Sequence, residues 1–525
     1  MRLLAFCAGI LTAGLAAQTL QSVKLLEPPT DSWPTYNGDY SGRRFSPLSR
    51  INDSNINSLS LAWIYRTNIP GGEFGGAIKA TPVEVDGVLY FTMPDHVWAI
   101  DARTGREIWH YAWQSHGGIH IGNRGVGVYG RWLYFETPDC NVVSLNLSDG
   151  KERWHQPICD LDQMYFGSVA PVVIKNHVIV GVSGDDLDIP GYLESRDPET
   201  GDLQWRWYTV PQKKGAPGSE SWPSEDAMKH GGGMTWVPVT YDPDLNLVYL
   251  GTGNPQPVIA GKARPGANLF TESIVALHLD SGKMAWYFQA SPHDTHDWDA
   301  VQTPVLIDGE INGQKRKLIA QASRNGYFFV LDRANGKNVV TSEFVKTNWS
   351  KGVAPDGTPI PNPAKEPQVD GALVTPNQAG AANWPPPSFS PQTGLFYINA
   401  SRGFSVYYIY DDTQKPEGWG GNDRGGWAES MLQAIDYKTG KIRWSHRWDG
   451  AGIRSGVLST AGNLVFAGDP SNNLVALNAT TGRPLWHANL GRALSNGPMT
   501  YELDGTQYLV VAAGDTLFGF AMLAK

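Results

Sequence analysis

Charge is scarce in this chain. Only 18% of its 525 residues are Asp, Glu, Lys or Arg, and 51 acids against 42 bases leave a net charge of -9. With no basic run and an acidic balance, a nucleic-acid backbone is excluded as a partner. Cysteine is scarcer still, with three in all: Cys7, Cys140 and Cys159. That excludes a disulfide-dense scaffold and a Cys/His zinc cluster. No Cys-x-x-Cys-His occurs, so no c-type haem is attached covalently. Long apolar runs are missing after the first residues. Leu3 to Ala17 is about 15 residues, short for a membrane span. Arg2 precedes this run and Ala16-Ala17 ends it, so residues 1–17 read as an export signal, with a membrane anchor as the rival reading. A lipoprotein site at Cys7 is disfavoured by the bulky Phe6 before it. Removal of the signal places the protein in the periplasm and leaves Cys140 and Cys159, whose spacing does not decide whether they pair.

Glycine and tryptophan are abundant, at 59 and 20. Both belong to one recurring phrase. It reads Trp98-Ala-Ile-Asp-Ala-Arg-Thr-Gly-Arg-Glu-Ile-Trp109, and returns from Val143 to Trp154 and from Leu193 to Trp205. It returns before Trp286, Trp444 and Trp486, and in degenerate form at Phe329–Gly336. An apolar run ends at Asp or Asn, a Gly turns the chain, and a second run reaches Trp. The phrase is strand, tight turn, strand. One hairpin cannot bury an indole alone, so each Trp is expected to dock on a neighbouring repeat.

The turn glycines are Gly105, Gly150, Gly201, Gly282, Gly336, Gly440 and Gly482. Most gaps are about 40 to 55 residues, the length of a four-stranded propeller blade. Length alone points to three domains or more, and the repeat overrides that. The expectation is an all-β, eight-bladed β-propeller over residues 30–525, with insertions at about 206–245 and 345–390. The eighth blade pairs the strand ending at Leu61-Ala-Trp63 with the one near Thr516-Leu-Phe-Gly-Phe520, which removes exposed sheet edges.

The densest polar cluster is Ser291-Pro-His-Asp-Thr-His-Asp-Trp-Asp299. Carboxylates at this density suit a hard cation or a general base; equally, they suit an Asp-rich turn satisfied by backbone amides. Tyr249-Leu-Gly-Thr-Gly-Asn254 and Val182-Ser-Gly-Asp185-Asp186 are apolar strands running into turns that present oxygen donors. Each alone is an ordinary blade turn. In successive repeats, they form a ligand set for a central ion. His230-Gly-Gly-Gly-Met-Thr-Trp236 offers close backbone approach and a stacking face for a flat ligand, or else a core Trp after a loop. Arg324-Asn-Gly326 and Asn123-Arg124-Gly125 are polar turns of either kind. The segment Gly352 to Pro376, rich in Pro and Gly, reads as a loop over the site face or a disordered insertion.

From Trp33-Pro-Thr-Tyr-Asn-Gly-Asp-Tyr to the C-terminus the chain resembles the pyrroloquinoline quinone (PQQ)-dependent dehydrogenases, the quinoprotein alcohol and sugar dehydrogenases. The site segments occur in that family's order. The resemblance implies Asp297 as catalytic base and Arg324 as the group polarising the quinone carbonyl. It implies Asn254, Asp186, Asp297 and Asp299 around Ca2+ or a lanthanide, with the extra carboxylate of Asp299 suiting a trivalent ion. It implies Trp236 as the stacking floor, and Arg124, Ser168, Ser183, Gly184, Asp185, Thr235 and Asn383 lining the cofactor. Lys79 stands where a Glu often contacts the quinone, Arg454 stands near a usual Trp, and Asp186 replaces a Glu. The adjacent cysteines of many alcohol-oxidising members are absent from Gly117–Gly122. That absence leans towards sugars, whereas the Trp-Pro-Thr-Tyr opening and blade sequences lean towards alcohols. The implied reaction is hydride transfer from a CH-OH group to the quinone, with electrons passed to a soluble cytochrome c or a membrane quinone. The alternative is a non-catalytic propeller serving as a binding or assembly scaffold.

Overall fold

The computed structural model describes residues 29–69, 76–184, 188–410, 418–452 and 455–522. The expected export signal at 1–17, and the expected site residues Asp185, Asp186 and Arg454, lie outside them.

The recurring phrase forms a hairpin. Strands His96–Asp101 and Glu107–Ala112 flank the turn. The Asp101 carboxylate accepts the N–H groups of Arg103 and Thr104 at 3.0 and 2.9 Å. Gly105 closes the turn at φ +70°, a conformation that side chains resist. The ladder bulges between Ala99 and Ile100, which sets Trp109 opposite Ala99. Equivalent bulges fall at Ala276/Leu277, Ala434/Ile435 and Ala476/Leu477.

Each Trp then lies on the next turn. Trp109 covers Gly150, where a Cβ would stand 2.6 Å from the ring. Its indole N–H donates to the Leu147 carbonyl at 2.9 Å. The same contact joins Trp63 to Gly105, Trp154 to Gly201, Trp205 to Gly282, Trp286 to Gly336 and Trp444 to Gly482. The degenerate phrase carries Val340 where the others carry Trp, and Gly440 accordingly meets Val340 and Ser342 instead of an indole.

Among the described residues there are eight sheets of four or five strands and one of two. The only α-helix among them is Glu225–Lys229, capped by the Ser224 side chain. The sheets fit propeller blades: consecutive strands run antiparallel from a short buried strand to an outer one. Val83–Val85 is buried throughout, whereas Glu107–Ala112 alternates between exposed and half-buried. One sheet is composite, with Leu59–Arg66 pairing antiparallel with Thr516–Met522. No helix of the described residues is long and apolar enough to cross a membrane.

The opening segment is stitched into the interior. Phe45–Ser46 adds a parallel strand beside Leu458–Thr460. The fully buried Arg44 donates to the carbonyls of Tyr36, Val457 and Pro498. The Pro/Gly-rich segment is ordered rather than loose. It forms the hairpin Ser350–Val353/Pro359–Pro361, and its strand Ala372–Val374 pairs with Leu395–Ile409.

Candidate active site

The Ser291–Asp299 segment follows the outer strand Met284–Gln289 and turns inward. Its carboxylates divide the work. Asp294 accepts the N–H groups of His296 and Trp298 at 3.1 and 3.2 Å, so it is the turn-holding acid. Those bonds and the His296 imidazole outweigh burial and keep its carboxyl below the usual range. Asp297 adopts φ +62°, uncommon for a residue with a side chain. Trp298 and Asp299 are almost fully buried behind it, and Trp298 donates to the Asn377 carbonyl at 3.0 Å.

Asp297 and Asp299 meet on one guanidinium. Arg324 Nη2 lies 2.9 Å from Asp297 Oδ2, and Nη1 lies 2.8 Å from Asp299 Oδ2. Burial alone would weaken the Arg324 cation, but the two carboxylates more than offset it and raise its proton affinity. Gln378 completes the clamp. Its side chain donates to Asp297 Oδ2, and its carbonyl accepts Arg324 Nε and Nη2 at 3.1 and 2.9 Å.

Asn254 joins from another sheet. The strand Leu247–Gly251 runs into Thr252-Gly253-Asn254, and the Asn254 N–H donates to Asp299 Oδ1 at 2.9 Å. Gly253 is required there, since a Cβ would come within 2.8 Å of that same oxygen. The Asn254 side-chain oxygen is buried and accepts no hydrogen bond. A buried carbonyl oxygen without a donor, beside Asp297 and Asp299, fits an oxygen-seeking cation. Among the described residues no three Asp, Glu, His or Cys side chains form a metal-holding group by themselves. The remaining expected ligand, Asp186, lies outside them.

The expected cofactor wall gathers around Trp236 and Arg124. The Arg124 guanidinium lies 4.5 Å from the Trp236 ring centre and 5.3 Å from that of Trp384. Arg124 Nη1 donates to Ser168 Oγ at 2.7 Å, and Ser168 Oγ is 2.8 Å from Ser183 Oγ. Glu136 holds this wall from behind by accepting the N–H groups of Ser168 and Val169 at 3.0 and 2.8 Å. Burial pushes its carboxyl up to about 8. Thr235 braces the neighbouring strand, taking the Val182 N–H at 3.1 Å and giving its hydroxyl to the Tyr192 carbonyl. Gly184, at φ +144°, has Ile189 and Met234 against the position of a Cβ. Lys79 and Asn383 line a cavity of 520 Å3 with Asn377 and Trp384. Burial, and then the Arg124 charge, lower the Lys79 ammonium to about 8. Two aromatic faces with two cations suit a flat anionic quinone.

The sequence reasoning passed over Gln378, Trp384, Glu136 and Glu272. Trp384 follows Asn383 directly, and that adjacency was the one available signal. Cys140 and Cys159, left open by spacing, form a disulfide. Both pack in the apolar cluster that contains Trp236.

The chain matches the family model described as "Glucose/ethanol/alcohol dehydrogenase, beta-propeller domain" over residues 33–359. It is 35% identical to the quinoprotein alcohol dehydrogenase PedH of Pseudomonas putida, across 96% of this chain and 90% of that protein. Among solved structures, the quinohemoprotein alcohol dehydrogenase ADHIIG from Pseudomonas putida HK5 superposes with a TM-score of 0.90 at 31% identity, covering 98% of this chain and 84% of the other. A europium-containing methanol dehydrogenase superposes with a TM-score of 0.86 at 28% identity, covering 95% of this chain and 99% of the other. A propeller-like fold, an acid pair on one arginine, and relatives of this identity over nearly the whole chain agree: the protein belongs to the PQQ-dependent quinoprotein alcohol dehydrogenase family.

Proposed function

We propose that this protein oxidises the CH-OH group of a small alcohol with PQQ and a bound cation, Ca2+ or a lanthanide. The observation that carries this reading is the shared grip of Arg324 on Asp297 and Asp299, with the unpaired Asn254 oxygen beside it. When bound, the quinone supplies the two-electron acceptor and the cation a Lewis acid.

The chain's own residues do the rest. Asn254, Asp186 and Asp299 hold the cation. Trp236 carries the ring face, with Ser168, Ser183, Gly184, Asp185, Thr235 and Asn383 around it. Arg124, Lys79 and Arg454 answer the ligand's carboxylates. Asp297 takes the hydroxyl proton of the alcohol through its carboxylate, and Arg324 and Gln378 fix the direction of that carboxylate. The buried wall behind them keeps bulk water off the reacting hydroxyl.

The same proposal takes the eight sheets as the blades of one ring over residues 30–525. The Trp-on-Gly contacts and the pairing of Leu59–Arg66 with Thr516–Met522 support it. The export signal places the protein in the periplasm. With no haem motif in the chain, electrons leave to a separate cytochrome c.

Reconstitution of purified protein with PQQ and either CaCl2 or LaCl3 tests the reading, with dye-linked oxidation of ethanol and of glucose as readout. Ethanol oxidation that requires both additions is expected. The substitution Asp297→Asn is expected to lower it by about 100-fold or more while leaving quinone absorbance intact. Absence of quinone binding would refute the assignment, and preference for glucose would move the substrate from alcohols to sugars.

A further inference from the structure

Glu272 is a carboxylate that the reaction does not use and the fold does not satisfy. It is fully buried, and neither side-chain oxygen accepts a hydrogen bond. An unpaired buried carboxylate is among the most costly groups a protein can hold. Its backbone is also held in a demanding conformation, φ +52°.

Its backbone contacts fix its place. The Glu272 N–H donates to the Gly253 carbonyl at 3.0 Å, one residue before Asn254. Its carbonyl accepts the Ala290 N–H at 2.8 Å, at the mouth of the Ser291–Asp299 segment. Glu272 therefore bridges the two segments that carry Asn254 and the acid pair. Burial and then the charges of Asp294, Asp299 and Asp297 push its carboxyl well above the usual range, against the pull of Arg324. Glu272 in turn strengthens the proton affinity of Arg264.

Neither guanidinium neutralises Glu272. Arg264 gives its N–H groups to the carbonyls of Pro257, Val258 and Asp294 and to the Asn268 side chain. Arg324 is taken by Asp297, Asp299 and the Gln378 carbonyl. Four carboxyl groups thus face two committed guanidiniums. The Asn254 oxygen is also without a hydrogen-bond partner, whereas Asp294 Oδ1 has the His296 imidazole 3.6 Å away.

We propose that Glu272 is an additional carboxylate of the cation site that Asn254 and Asp299 form, and that it biases this site towards a trivalent over a divalent ion. The proposal rests on the quinoprotein reading above. A bound ion holds such a carboxyl in its charged form, and that negative charge attracts a third positive charge as strongly as each of the first two, so its removal penalises the trivalent ion more. At separations of a few ångströms and protein-like screening, the trivalent preference changes on the order of ten- to a hundredfold.

Equilibrium dialysis of PQQ-loaded protein against LaCl3 and against CaCl2, with bound ion counted by mass spectrometry, tests this without reference to turnover. In Glu272→Gln the lanthanum-to-calcium affinity ratio is expected to fall by about tenfold or more. Glu272→Asp, which keeps the charge, is expected to retain most of the ratio. Glu272→Ser serves as a second neutral variant, and thermal midpoints identify any variant that fails to fold. Wild-type protein that binds quinone and both ions, with an unchanged ratio in the neutral variants, would overturn the role of Glu272 alone. Wild-type protein that binds neither quinone nor ion would overturn the quinoprotein reading, and this proposal with it.

Discussion

Glu84 sits in the middle of the inner strand Val83–Val85, away from the acid pair, and is fully buried. One oxygen accepts the Gly87 N–H at 2.7 Å, and the other has no partner. Burial raises its carboxyl from 4.5 to about 8, against the pull of that N–H. The folded protein thus holds this proton more tightly than the unfolded chain. The contribution to stability is complete below pH 4.5, fades as pH rises, and is gone above about 8. At 1.36 kcal/mol for each tenfold change in proton affinity, up to about 5 kcal/mol is at stake, of which about 3 kcal/mol is lost by pH 7. Glu84→Gln keeps the acceptor for Gly87 and stays neutral throughout. Urea midpoints followed by Trp fluorescence at pH 5 and pH 9 are the assay. The variant's stability relative to wild type is expected to rise by about 4 kcal/mol between those two values. Glu136 titrates in the same range but is common to both proteins, so it cancels. Parallel pH curves for the two proteins would refute a neutral buried acid at this position.

Trp286 is 8% exposed, lies on Gly336 and donates to the Arg333 carbonyl at 3.0 Å. Trp286→Ala is expected to cost about 3–5 kcal/mol in urea unfolding, while Trp427→Ala, at a half-exposed indole, costs under about 0.5 kcal/mol. Equal shifts would deny the inter-sheet role of these indoles. The disulfide spans 19 residues, so Cys140→Ser with Cys159→Ser is expected to cost about 3 kcal/mol. Reduction of the wild type should reproduce the loss, and a double variant as stable as the oxidised protein would contradict it.

The blade phrase was legible because its chemistry is local. Asp, Gly and Trp each act within one turn or on the next one, and those requirements repeat at every copy. The acid pair was legible as a density of carboxylates at Asp294, Asp297 and Asp299. Their division of labour was not. Asp294 became a turn acid because the His296 and Trp298 amides lie within its reach, a matter of backbone path that composition does not show. Gln378 was hidden because it follows the Pro/Gly-rich segment, distant in the chain from Asp297. Glu272 reads in sequence as one polar residue before an apolar strand, and only the pairing of its N–H with Gly253 brings it to Asn254. Cys140 and Cys159 lie too far apart in sequence for local rules to join them.

The strand Leu59–Arg66 has its sheet partner at Thr516–Met522. Two strands distant in the sequence thus complete one another. Until Thr516–Met522 has been made, the long edge of Leu59–Arg66 is open and Trp63 lacks Gly519, one of the two glycines it covers. Such an edge is a template for pairing with other chains. The molecule therefore carries its own quality check: a chain that stops before Thr516 is left with an unsatisfied strand and an indole covering one glycine instead of two, and is marked for aggregation or proteolysis before it can take up a cofactor.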